Sequence, residues 1–106
     1  MNTPTPAPTK IWILRKGNGQ LRVHPSPVLL SSGETFVIRN LCGADAVASF
    51  PSNIVAGGEK VGIPAGGCSP GLGVPPQRTS TYFEYDVTVG NEYAEGGSKP
   101  GGIVDP

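Results

Sequence analysis

Glycine and proline interrupt this sequence so often that no long helix fits in it. Sixteen glycines and twelve prolines make up 28 of the 106 residues, and inside a helix they cost about 1 and 3 kcal/mol each relative to alanine. Such a composition borders on that of disordered chains. However, 37% of the residues are hydrophobic, and they fall in discrete runs between the breakers, which low-complexity sequence does not show. Short apolar runs bounded by turn residues are strands. The length is that of one domain, which buries roughly two-thirds of its unfolded surface. That is enough for one sandwich core and too little for a large internal cavity.

The runs can be read in order. Residues 1–9 hold prolines at 4, 6 and 8 and read as a flexible, polyproline-like tail. They lack the charged start and apolar core of a signal peptide, as a mature or trimmed chain also would. Residues 10–106 form the single domain. Strands are predicted over 10–15, 20–24, 28–30, 34–41, 47–50, 60–63, 80–89 and 102–105. Pro25 and Pro27 mark an edge or a switch between sheets, because proline donates no ladder hydrogen bond. The clearest run is 80–89, where Phe83, Tyr85, Val87 and Val89 share one face. Seven or eight short strands predict an all-β Greek-key sandwich, with one long Gly/Pro-rich loop over 51–78.

Charge removes several functions. Eight Lys and Arg balance eight Asp and Glu, so the cation surplus that displaces counterions from nucleic acid is missing. No stretch approaches the ~20 apolar residues of a membrane-spanning helix. The first forty residues carry Lys10, Arg15, Lys16, Arg22 and Arg39 against Glu34 alone, and the remaining acids come later. In a sandwich early and late strands interleave, so this asymmetry predicts complementary neighbours rather than a basic patch.

Three passages resemble the cupredoxin-like family, the Greek-key sandwich of plastocyanin and azurin. Residues 28–40, VLLSSGETFVIRN, look like the family's apolar strand, Gly-acid turn and Asn-ending strand. Residues 80–89, STYFEYDVTV, are similar to the aromatic strand that leads into the copper-binding loop, and 102–105, GIVD, to its closing strand. The resemblance implies a type 1 copper site and electron transfer. The ligands are not retained: 42–47 holds no histidine where one follows the Asn-ending strand, and 86–95 holds no Cys, His or Met. Two imidazoles, a thiolate and a weak axial ligand are what copper needs there. The expectation is a non-catalytic binding or structural module that has lost this site and holds no cofactor, with a protein partner or a second copy of itself. Nothing in 102–105 blunts an edge against strand addition.

What chemistry remains is thin. Cys42 and Cys68 are the only cysteines, open to two readings. One is a disulfide, worth roughly 3–4 kcal/mol by loop entropy and implying a periplasmic or extracellular home. The other is two free thiols, as in a cytoplasmic protein. With His24, the single histidine, they give the alternative function of a small redox or metal-binding protein. Zinc is left one ligand short by that set. His24 itself reads as an exposed strand residue, and Glu84 and Asp86 as partners of cross-strand cations. A hydrolase is the least supported class. The 51–78 loop carries Ile54, Val55, Val61, Ile63, Leu72 and Val74, which either pack over an end of the sandwich or form an interaction loop.

Overall fold

The computed structural model describes residues 9–97 and 99–106, so the expected tail lies outside the described residues apart from Thr9. It is an all-β sandwich of eleven short strands: β1 (Thr9–Arg15), β2 (Leu21–His24), β3 (Val28–Ser31), β4 (Thr35–Asn40), β5 (Ala46–Ser49), β6 (Val61–Ile63), β7 (Leu72–Gly73), β8 (Thr81–Glu84), β9 (Asp86–Val89), β10 (Glu92–Tyr93) and β11 (Gly101–Asp105). A single turn of 3-10 helix, Ala94–Gly97, follows β10. No helix among the described residues is long and apolar enough to cross a membrane.

One sheet has the order β2-β1-β4-β7, with β1 parallel to β4 and antiparallel to β2. Two further sheets, the three-stranded β3-β11-β8 and the four-stranded β10-β9-β5-β6, are joined along one line, since only Tyr85 separates β8 from β9. The run 80–89 divides there because its partner changes. β8 pairs with β11, β9 pairs with β5, and the Tyr85 amide between them donates to Pro100 O at 3.0 Å. This division, together with the two-residue strands β7 and β10, raises the predicted seven or eight strands to eleven. The Pro25–Pro27 switch is real, as β2 and β3 lie in different sheets. The closing strand is no edge: β11 is paired on both sides.

Alternation carries the core. Phe36, Ile38 and Asn40 of β4 point inward and are fully buried, and Ile11 and Ile13 of β1 join them. Phe83, Tyr85, Val87 and Val89 face them from the other layer. Phe50 sits at the aromatic centre. Its ring stacks on Tyr85 at 4.6 Å between centroids and meets Phe36 edge-on at 5.7 Å, the arrangements favoured by the ring quadrupole.

Of the two readings of the 51–78 segment, its six apolar side chains follow the packing one. Ile54, Val55, Val61, Ile63, Leu72 and Val74 are all buried in the core, because the segment crosses from one layer to the other. It leaves through β6, which pairs with β5, and ends at β7, which pairs with β4. On the way Ser69 and Ile38 exchange hydrogen bonds: the Ser69 amide donates to Ile38 O at 2.8 Å, and the Ile38 amide to Ser69 Oγ at 2.9 Å.

Candidate functional site

The two stretches that the family resemblance would make metal-binding do lie together. β5 runs antiparallel to β9 with Ala46 opposite Val89 and Val47 opposite Thr88, and the Gly90 amide reaches Asp45 O at 3.4 Å. Among the described residues no three His, Cys, Asp or Glu side chains are grouped as a metal ion requires.

This end of the sandwich is held by charge instead. Arg15, the last residue of β1, meets Glu92 of β10 in a bidentate pair at 3.0 and 3.1 Å, and its guanidinium also donates to Gly19 O at 2.9 Å. The hydrogen bond from Arg15 holds the Glu92 carboxyl below the usual glutamate range. Next to it, Glu95 takes a positive φ of 60°, costly for a side chain other than glycine. Its carboxylate accepts from the Val23 amide at 2.8 Å and pairs with the Arg22 guanidinium. Because β2 is an edge strand, Glu95 thereby caps a main-chain donor that the sheet leaves open. Together the two glutamates clamp the segment after β9 onto β1 and β2.

A buried amide ties the loop after β4. Asn40 Nδ2 donates to Ala44 O at 2.9 Å and Ile63 O at 3.2 Å, while its Oδ1 accepts from the Cys42 amide at 2.8 Å. The loop after β4 and strand β6 of the other layer thus meet on this one side chain. At the base, Tyr85 Oη is buried with no hydrogen-bond partner among the described residues. Burial, and then the charge of Glu95, pushes its phenol pKa up.

The structure does not bring Cys42, Cys68 and His24 together. Cys42 continues the inward parity of Ile38 and Asn40 and is buried, which pushes its thiol pKa up. Cys68 bridges to Arg39 and so shares that residue's outward face, exposed, with Sγ 3.7 Å from Arg39 Nη1. The thiols therefore stand on opposite sides of the β4 line, and both are free. The disulfide reading is corrected on this ground. His24 is exposed and lies in one row with Trp12, Arg39 and Cys68. Three strand spacings put it roughly 14 Å from Cys68, too far to share a metal ion.

Sequence reasoning missed Arg15, Arg22, Glu92 and Glu95 as individuals. The signal was there in the sign asymmetry, since early cations meet late acids in both pairs.

No protein-family model matches the chain, and no curated protein does. A solved structure does match, the crystal structure of Lac15 from a marine microbial metagenome, at 22% identity and a TM-score of 0.57. The likeness is one of fold. It covers 93% of this chain and 32% of that protein, so the chain spans about a third of the length of the protein it resembles.

Proposed function

We propose that this chain is a binding or structural module of cupredoxin-like, Greek-key architecture that does without a type 1 copper site and without a catalytic role. The observation that carries the reading is the pair of clamps, Arg15–Glu92 and Glu95 with Arg22 and the Val23 amide. They occupy the stretch where the family resemblance would place the thiolate, imidazole and thioether. A metal ion in such a site staples neighbouring loops together; here ion pairs and Asn40 perform that mechanical task. The order of strands and the fold likeness to Lac15 support the architecture. A redox or metal protein built on Cys42, Cys68 and His24 gains no support, because the three side chains diverge.

Titration with cupric ion under visible spectroscopy tests the reading. The expected spectrum gains no intense thiolate-to-copper band. Such a band appearing at sub-stoichiometric metal overturns it.

A further inference from the structure

Two outer faces of the sandwich carry opposite charge and exposed apolar side chains. On the β3-β11-β8 sheet, Leu29, Ile103 and Tyr82 form a row across three strands. Leu29 is 65% and Tyr82 63% exposed. The Tyr82 ring lies across Gly101, where an added Cβ would come within 3.1 Å of its ring carbons and 2.7 Å of its Oη. That glycine seats the ring on the neighbouring strand, so little side-chain freedom is left to lose on binding. Glu84 and Asp105 flank the row, and these three strands contain no Lys or Arg.

The outer face of the other layer is the counterpart. Trp12, Leu14 and Val37 are partly exposed on it and Leu41 is 50% exposed. β1, β2 and β4 contain no Asp or Glu and carry Lys10, Arg15, Arg22 and Arg39. The cations that Glu92 and Glu95 pair with are Arg15 and Arg22, which leaves Lys10, Lys16 and Arg39 without a carboxylate partner among the described residues. A groove of about 320 Å³ opens here, lined by Leu14, Lys16, Arg22, Val23 and His24.

We infer that the occupant of each face is a second copy of this chain, bound head to tail, with the Tyr82 row of one copy against the groove face of the next. An apolar floor with a cationic rim suits an aromatic ring beside Glu84. Two-fold pairing of the Tyr82 row with itself would set Glu84 and Asp105 against their own copies, a repulsive arrangement. Because the two faces lie on opposite layers, the contact is heterologous and leaves both ends of a stack open.

Sedimentation velocity of the full chain over a concentration series is the test, with two surface variants: Leu29→Lys with Tyr82→Lys on one face, and Lys10→Glu with Leu41→Glu on the other. All four side chains are exposed, and circular dichroism checks that both variants fold. The wild-type chain is expected to associate without reaching a dimer plateau, and less so at high salt. Each variant alone is expected to sediment as a monomer, while an equimolar mixture of the two forms a one-to-one dimer from the intact face on each. A wild-type chain that is monomeric at every concentration overturns the inference. So does a dimer plateau, or a mixture that stays monomeric.

Discussion

At Gly102 a single hydrogen atom decides whether two strands can close on the core. Its φ lies outside the left-handed region, so the constraint is space rather than backbone strain. A Cβ there would stand 2.3 Å from Phe83 Cζ and 2.9 Å from Val28 Cγ1, and both neighbours are buried. Gly102→Ala is therefore expected to destabilise the fold by about 1–3 kcal/mol, the range for overpacking a close-packed core. Urea unfolding measures this, and an unchanged midpoint would remove the argument. Nothing in GGIVD distinguishes this glycine from the turn glycines around it, because its role is set by a ring on another strand. Asn40 was similarly opaque. As the last residue of an apolar strand it reads as a strand end, and only the fold reveals the two carbonyls and the amide it joins.

Among the elements, strands with strict alternation were legible and those defined by a partner were not. The faces of 80–89 were read correctly from Phe83, Tyr85, Val87 and Val89, since burial on one side imposes period two. β7 was hidden, because Leu72 and Gly73 become a strand only through pairing with Thr35 and Phe36. For the same reason the 51–78 segment looked like a candidate recognition loop although its apolar side chains complete the core. The clamp on β10 makes a pH prediction. Glu92 binds its proton more weakly in the fold than in the unfolded chain, so the contribution of the Arg15 pair is complete above the ordinary glutamate range near ~4.3. It is lost as pH falls through the lower, folded value. Titration of the Glu92 side-chain carbon by NMR is expected to show a midpoint below that of a free glutamate, returning upward in Arg15→Ala. A midpoint that ignores the arginine contradicts the clamp.

On the scale of the molecule, one architecture serves three requirements. The 51–78 crossover fastens the layers at the flank, charge pairs and Asn40 fasten the loops at one end, and the two outer faces remain open and oppositely charged. The all-β fold class could be read from the apolar runs between the breakers, 28–40 and 80–89 among them. The clamps could not be assigned in advance, since Arg15 and Glu92 are 77 residues apart and a sign asymmetry does not choose partners. The central proposal is that protein charge closes this end of the sandwich in the stead of a metal ion. Calorimetric unfolding with excess cupric ion, compared with chelator, tests it most directly. A native-state site at a hundred times its Kd would add about 2.7 kcal/mol, raising Tm of a domain this size by roughly 10 °C or more. The account predicts the same Tm in both conditions; a rise of that size with stoichiometric copper would contradict it.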